Sequence, residues 1–186
     1  MGNRLDDSKE REQVMEEEQT LVNSEVAYDD YDAADRPFDF VEEGGATALV
    51  CELDPAVREK ISGSLKDLGY QITTPATAKD ALKAMRFHVF DVVVLNELFD
   101  EADPQANSVH QYLENMAMTT RRQFFVALIS AKFRTMDNMT AFNQSVNIVI
   151  NIKNIDDLCK IIKQGIAEHK AFYHVFQETL QKMGKA

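Results

Sequence analysis

The chain has 186 residues, 45% of them hydrophobic, which is enough apolar material for one hydrophobic core but too little chain for two separate folded domains. The formal net charge of -11 is unevenly distributed, because residues 1–45 hold 15 of the 31 acidic side chains and only 4 of the 20 basic ones. The sequence has no basic stripe suited to nucleic acid, no apolar run of membrane-spanning length and no secretory leader. We therefore expect a cytoplasmic protein that binds neither nucleic acid nor membranes.

The first 45 residues form a distinct acidic segment that ends near Gly44-Gly45. Clustered carboxylates and short apolar stretches cannot bury enough surface to offset the chain entropy lost on folding, so we predict a disordered tail. Residues 7–22 are rich in helix formers, which allows a transient or partner-induced helix, but we favour a solvated tail there as well. The domain prediction is thus a tail at 1–45 and one folded domain at 46–186.

Metal and cofactor signals are missing from the sequence. Cys51 and Cys159 lie in apolar runs far apart, and the four histidines are scattered without ligand spacing. We predict buried free thiols and no metal or cofactor.

From residue 47 onward, short β-rich apolar runs alternate with segments of helical period. This alternation is typical of a parallel sheet covered by helices on both faces. The sequence predicts five strands, at residues 48–51, 71–73, 92–95, 124–129 and 148–150. The fold class is therefore α/β.

The crossovers between these strands are predicted to be helical. In the first, Pro55 suits a first turn, Gly69 suits a stop, and the apolar residues between them fall on one stripe. Thr77 and Asp80 resemble the capping box of a second helix. The third and fourth crossovers are less regular, and we place their helices at 105–116 and 135–144.

A long helix is predicted at the end of the chain, from residue 155 to 183, with Asn154 as its N-cap. Such a helix would measure about 45 Å, whereas a five-residue strand spans about 17 Å, so its second half must extend past the sheet. That half carries the apolar residues Phe172, Tyr173, Phe176 and Leu180. Homodimerisation, packing back on the domain, or docking on another protein would cover them.

Four separated segments together resemble the receiver domain of response regulators: 49–55, the helix end Leu68-Gly69-Tyr70, 78–82, and 90–96. The resemblance covers residues 47–166 in order and spacing. It implies a flavodoxin-like sheet with strand order 2-1-3-4-5, here with an extended C-terminal helix. It also implies that Met139 and Phe142 lie on the face that receivers commonly use for dimers or partners.

A working receiver has two adjacent acids after its first strand, a phosphate-accepting aspartate after the third, Ser or Thr after the fourth, and lysine after the fifth. By resemblance, the corresponding positions here are Glu52 with Leu53, Asn96, Ser130 and Asn151. Leu53, Asn96 and Asn151 depart from the pattern, and an amide is neither a nucleophile toward phosphoryl donors nor a negative ligand for Mg²⁺. The site is therefore predicted to be degenerate.

Two functions remain open at this point. The first is a non-enzymatic pseudo-receiver, an interaction module of a two-component-like pathway that works without phosphorylation, binds a protein partner and forms a homodimer. The alternative is a small-ligand sensor that uses the strand-end crevice around Glu52, Asn96, Ser130 and Asn151. No glycine-rich phosphate loop supports a nucleotide in that crevice, and no nucleophile-base pair supports catalysis.

Overall fold

The computed structural model describes residues 45–101 and 103–184, without the side chain of Gln105. All of these residues belong to one compact unit. The tail predicted at 1–45, including residues 7–22, lies outside the described residues except for Gly45.

Five parallel strands form a single sheet in the order β2-β1-β3-β4-β5. They are β1 Thr47–Cys51, β2 Gln71–Thr73, β3 Val92–Asn96, β4 Phe125–Ser130 and β5 Ile148–Asn151. The predicted flavodoxin-like order 2-1-3-4-5 is confirmed, and each strand lies within two residues of its predicted bounds. Strand order reverses between β1 and β3, which is where ligands bind in sheets of this kind.

The sheet is covered on both faces, as its uninterrupted apolar strands predict. Alternate residues of each strand point to opposite sides, so the core has two layers. Leu49 and Val93 belong to one layer, which includes buried residues of the second and third crossovers. Val50 and Val94 belong to the other, which is closed by the first crossover helix and the C-terminal helix.

The first two crossovers match their predictions. Helix α1, Pro55–Asp67, begins where the Asp54 carboxylate accepts a hydrogen bond from the Ala56 N–H at 2.8 Å. The chain leaves α1 through Gly69, whose φ of +86° suits glycine. Helix α2, Ala78–Phe87, is capped by Thr77, whose hydroxyl accepts from the Asp80 N–H at 3.1 Å.

The third and fourth crossovers differ from their predicted helices. Residues 105–116 were predicted as one helix, but a 3-10 turn, Pro104–Ala106, precedes α3, Ser108–Glu114. The chain then bends and forms α4, Met118–Arg121, which the sequence analysis missed. Helix α5, Asn138–Asn143, starts later than predicted because Met136 has a φ of +60°, which is not helical.

The long C-terminal helix is confirmed, but its predicted start and N-cap are wrong. A 3-10 segment, Ile152–Asp157, comes first, and α6 runs from Leu158 to Lys182. Asn154 has a non-helical φ of -103°, and its side-chain oxygen accepts a hydrogen bond from the Thr135 hydroxyl at 2.7 Å instead of capping a helix. Among the described helices, none combines the length and the apolar character that crossing a membrane requires.

Both cysteines are free thiols, as predicted. Cys51 is completely buried in β1, and that burial raises the pKa of its thiol far above the ordinary value. Cys159 is only half-buried, so the prediction of a buried thiol is wrong at that position.

Candidate functional site

The predicted site residues meet at one edge of the sheet, because parallel strands end on the same side. Glu52 directly follows β1, while Asn96, Ser130 and Asn151 are the last residues of β3, β4 and β5. Strand register places Cys51 beside Leu95, and Ser130 beside Asn151. The four polar side chains therefore surround the switch point of the sheet, where the sequence placed them.

The centre of this crevice is a hydrogen bond between Asn96 and Glu52. Asn96 Nδ2 donates to Glu52 Oε2 at 2.6 Å, and the Glu52 side chain is almost completely buried. Glu52 Oε1 accepts from the Asp54 N–H at 3.0 Å, and Asn96 Oδ1 accepts from the Leu98 N–H at 2.9 Å. Both oxygens of the carboxylate and both ends of the amide thus have protein partners, as buried polar groups require.

Ser130 is locked in a turn instead of being presented as a reactive hydroxyl. Its side chain is 1% exposed, and Oγ accepts hydrogen bonds from the N–H groups of Lys132 at 2.9 Å and Phe133 at 3.3 Å. A serine hydroxyl that accepts from residues two and three positions ahead stabilises a local turn. The hydroxyl therefore shapes the loop after β4.

Asn151 ties the loops after β4 and β5 together. Its Nδ2 donates to the carbonyl oxygen of Phe133 at 2.6 Å and, more weakly, to that of Ala131 at 3.3 Å. Its Oδ1 accepts from the Lys153 N–H at 3.0 Å. The side chain is thus occupied by the backbone, where the receiver pattern has a lysine that contacts phosphate.

Two further polar residues hold the site, and the sequence analysis did not identify their role. Glu97 is only 5% exposed, and its Oε1 accepts a hydrogen bond from the Ala131 N–H at 3.1 Å. Asn107 is fully buried and donates through Nδ2 to the carbonyl oxygens of Asn96 at 3.1 Å and Glu97 at 3.3 Å. Its Oδ1 caps α3 by accepting from the His110 N–H at 3.1 Å. An asparagine just before a helix is an N-cap signal that would have found it.

The predicted partner surface divides into exposed and half-buried residues. Met139 and Phe142 on α5 are 70% and 78% exposed, and Phe172 on α6 is 79% exposed. Tyr173, Phe176 and Leu180 are half-buried. The Phe176 ring lies 5.2 Å from the Arg122 guanidinium, so this part of α6 packs back on the segment that follows α4. Phe172 and, nearby, Val175 remain the apolar side chains most exposed on the helix.

Comparisons with known proteins agree with this architecture. No protein-family profile and no curated protein sequence matches the chain. Among solved structures, a response regulator of Chloroflexus aurantiacus is 17% identical, with a TM-score of 0.53 over 66% of this chain and 98% of its own. This chain has the fold of a response-regulator receiver domain.

Two other receiver structures show the same likeness. A chemotaxis response regulator of Vibrio cholerae is 16% identical, with a TM-score of 0.52 over 65% of this chain and 98% of its own. A receiver-domain protein of Methanospirillum hungatei is 18% identical, with a TM-score of 0.53 over 68% of this chain and 97% of its own. At these identities the likeness establishes the receiver fold alone.

The receiver fold implies Mg²⁺ at the strand-end crevice, but the residues present do not fit that ion. Mg²⁺ requires several oxygen ligands in octahedral geometry. Leu53, at the position of the second acid, has no oxygen in its side chain and is 45% exposed, while both Glu52 oxygens already accept hydrogen bonds. Within residues 45–101 and 103–184, no group of three His, Cys, Asp or Glu side chains is arranged to hold a metal ion.

Proposed function

We propose that the chain is a pseudo-receiver, a non-enzymatic interaction module of a two-component-like pathway that works in the cytoplasm without phosphorylation. The observation that carries this proposal is the 2.6 Å hydrogen bond from Asn96 Nδ2 to Glu52 Oε2. Asn96 stands at the end of β3, where a working receiver has the phosphate-accepting aspartate. A carboxamide has no nucleophilic oxyanion to attack phosphorus, so an acyl phosphate cannot form at this position.

The rest of the crevice supports the same conclusion. Phosphoryl transfer depends on positive groups that neutralise charge as it develops on the phosphoryl oxygens. Asn151 offers an amide instead of an ammonium group, and that amide is engaged with the Phe133 carbonyl. A hydrogen-bonded network of neutral amides and one carboxylate holds the loops in one arrangement, and phosphate is not needed to set it.

Output in such a module passes through contacts with other proteins. The exposed apolar residues Met139 and Phe142 on α5, and Phe172 on α6, are the surfaces we assign to a protein partner or to a second copy of the chain. The amphipathic character of α6 supports a homodimer, because large apolar side chains rarely stay in water on an isolated helix.

The predicted small-ligand crevice receives no support from its geometry. A ligand would need free donors or acceptors around Glu52, Asn96 and Ser130, but these side chains bond to one another or to neighbouring backbone groups. A ligand that used these groups would have to replace existing hydrogen bonds, which reduces the net free energy of binding.

Beryllofluoride with Mg²⁺ mimics an acyl phosphate and provides a direct test of the proposal. Amide NMR spectra of the full chain are compared with and without the mimic. We expect no saturable shifts at residues 96–98 and 130–133, because no carboxylate is available at position 96 to bind beryllium. Saturable shifts at these amides would overturn the proposal.

A matched variant shows that the assay is able to detect a competent site. The triple substitution Leu53→Asp, Asn96→Asp and Asn151→Lys restores the three residue types in which the chain departs from the receiver pattern. Its amides at the same strand ends should respond to the mimic while those of the natural sequence stay unchanged.

A further inference from the structure

A patch of cationic and aromatic side chains lies at the edge of the sheet opposite the strand-end crevice. It consists of Arg121 and Arg122, which precede β4, and of Lys170, Tyr173 and Phe176 on α6. The Phe176 ring centroid lies 5.2 Å from Arg122 Cζ and 6.4 Å from the Tyr173 ring centroid. We call these five residues the arginine–aromatic patch, and none of them belongs to the degenerate phosphate site.

Arg121 is held in place by acceptors that carry no charge. Its guanidinium donates to the carbonyl oxygens of Phe124 at 3.3 Å and Ser145 at 3.0 Å, and to Asn147 Oδ1 at 3.0 Å. Burial lowers the pKa of Arg121. These contacts orient the guanidinium, but they bring no negative charge to balance it.

Arg122 offers the donors that a ligand would use. Its Nε is buried and has no acceptor. The other two guanidinium nitrogens are not buried, and they make no hydrogen bond or ion pair within residues 45–101 and 103–184. Two free donors on one planar group suit the two oxygens of a carboxylate.

Acidic side chains are missing from the segments around the patch. Residues 115–124 and 138–155 contain no Asp or Glu. On α6, Glu168 accepts a hydrogen bond from a glutamine of the same helix, and Glu178 lies 3.9 Å from a lysine of that helix. The exposed Lys170 adds a further positive charge. The patch is therefore a locally positive surface on a chain whose net charge is -11.

We infer that the arginine–aromatic patch binds an acidic peptide segment of a partner protein, whose carboxylate pairs with Arg122 and whose apolar side chain packs on Tyr173 and Phe176. This inference rests on the proposed role as an interaction module and names the chemistry of the partner. Arginine and aromatic side chains dominate the binding energy of many protein interfaces. A nucleic acid fits less well, because the net negative charge of the chain repels a phosphate backbone.

A blocked ten-residue peptide in which aspartate and phenylalanine alternate is the probe that tests this inference. It is titrated into the full chain while amide NMR shifts are followed. The amides of residues 121–124 should shift in a saturable manner. A control peptide with asparagine in place of aspartate should bind about tenfold more weakly or worse, because it cannot form charge-assisted hydrogen bonds.

Three variants locate the binding on this patch. Arg122→Gln removes the charge and should weaken binding of the aspartate peptide about tenfold or more. Arg134→Gln removes the same charge from an exposed position after β4, at the opposite edge of the sheet, and should leave the affinity unchanged. Lys170→Gln, at an exposed position of α6, should weaken binding by a smaller factor than Arg122→Gln, and it keeps the test valid if Arg122→Gln fails to fold.

Four results would overturn the inference. They are the absence of saturable shifts at residues 121–124 with millimolar peptide, equal affinities of Arg122→Gln and Arg134→Gln, tighter binding of a ten-residue oligothymidylate than of the aspartate peptide, and shifts at residues 121–124 on dilution of the chain alone. The last would assign the patch to a second copy of the chain. The beryllofluoride test reads amides at the other edge of the sheet, so a failure here is distinguishable from a failure of the pseudo-receiver proposal.

Discussion

At the scale of single residues, Asn96 decides what the strand-end crevice is able to do. Its amide donates to Glu52 and accepts from the Leu98 N–H, a pair of roles that no carboxylate can play. An ionised aspartate in its place would face Glu52 as a like charge at close range, a contact that working receivers relieve with a metal ion. The Asn96 amide thus has a protein partner at both its nitrogen and its oxygen.

Asn107 is the residue whose loss should most disturb the loop beneath this site. It is fully buried, bonds to two carbonyl oxygens and caps α3, so Asn107→Ala leaves several backbone groups unpaired. We expect a loss of about 2 to 3 kcal/mol in the free energy of unfolding, measured by urea denaturation. The control is Asn115→Ala, at an exposed position with one side-chain hydrogen bond, which should cost well under half as much. Equal losses would contradict the structural role of Asn107.

Residue identity at the strand ends could be predicted from the sequence, but burial could not. The end of β3 follows from an uninterrupted apolar run, which placed Asn96 correctly. Whether the next side chain, Glu97, points inward depends on the path of the following loop. The Glu97 N–H continues the β3–β4 ladder by bonding to the Ile129 carbonyl at 2.9 Å, and that long-range pairing leaves no local pattern.

At the scale of elements, the contact between α6 and β4 fixes the C-terminal helix on the sheet. Gly165 lies so close to the buried ring of Phe125 that a Cβ atom there would be 2.7 Å from Phe125 Cζ. The missing side chain is what allows the helix to approach the strand.

The pair Gly165→Ala and Gly63→Ala tests this close approach. Gly165→Ala should destabilise the protein by about 1 to 3 kcal/mol, because the buried Phe125 ring must move. Gly63→Ala, in α1 with nothing within 4 Å of the new methyl, should stabilise it by about 0.5 to 1 kcal/mol through helix propensity. Thermal unfolding of both variants measures the difference. Effects of the same sign would show that α6 does not pack as described.

His169 makes the docking of α6 sensitive to pH. Burial and the nearby Arg121 guanidinium lower the pKa of His169 below its ordinary value. Asn147 Oδ1 accepts from the Val126 N–H and from Arg121, so Asn147 Nδ2 donates to His169 Nδ1 at 3.0 Å and requires a neutral ring. The His169 ring also lies near the rings of Phe125 and Tyr173 and near the Lys170 cation.

The sign of the pH effect follows from this lowered pKa. Below a pH of about 6.5 the unfolded chain takes up a proton at His169 more readily than the folded one, so the free energy of unfolding should fall as pH decreases, and level off below the folded-state pKa. Urea midpoints measured across this range should show a shallower slope in His169→Gln. His174→Gln, which removes an exposed histidine from the same helix, should keep the slope of the natural sequence. Identical slopes in all three proteins would refute the assignment.

The start of a helix was predicted well where the N-cap side chain bonds to its own helix, and poorly where that side chain bonds to a distant part of the chain. The side chains of Asp54 and Thr77 accept hydrogen bonds from N–H groups no more than three residues further along the chain. The starts of α1 and α2 could therefore be predicted. Asn154 looks like an N-cap in sequence, but its side chain bonds to Thr135, 19 residues earlier. A tertiary hydrogen bond of this kind overrides the local preference, and α6 begins later as a result.

At the scale of the whole molecule, the strand order and two-layer core follow from the alternation of apolar strands and amphipathic helices. That alternation predicts a doubly covered parallel sheet from sequence alone. The association state has no such signal, because an exposed apolar helix face fits more than one kind of partner. Phe172 and Val175 are 79% and 73% exposed. Finding what buries these two side chains would distinguish one kind of partner from another.

Sedimentation velocity of the full chain tests the homodimer. We expect a dimer that dissociates when Phe172→Glu and Val175→Glu are combined, because charges replace the apolar contact. Gln181→Glu, an exposed polar position on the same helix, should leave the dimer intact. A natural sequence that sediments as a monomer across the concentration range would rule out self-association.

The central claim, that this receiver fold works without an acyl phosphate, is tested most directly by chemistry at the crevice. The full chain is incubated with acetyl phosphate and Mg²⁺, and its intact mass is measured beside that of the Leu53→Asp, Asn96→Asp, Asn151→Lys variant. The natural sequence should show no covalent phosphoryl adduct. An adduct on the natural sequence that maps to the strand ends around Asn96 would contradict the account.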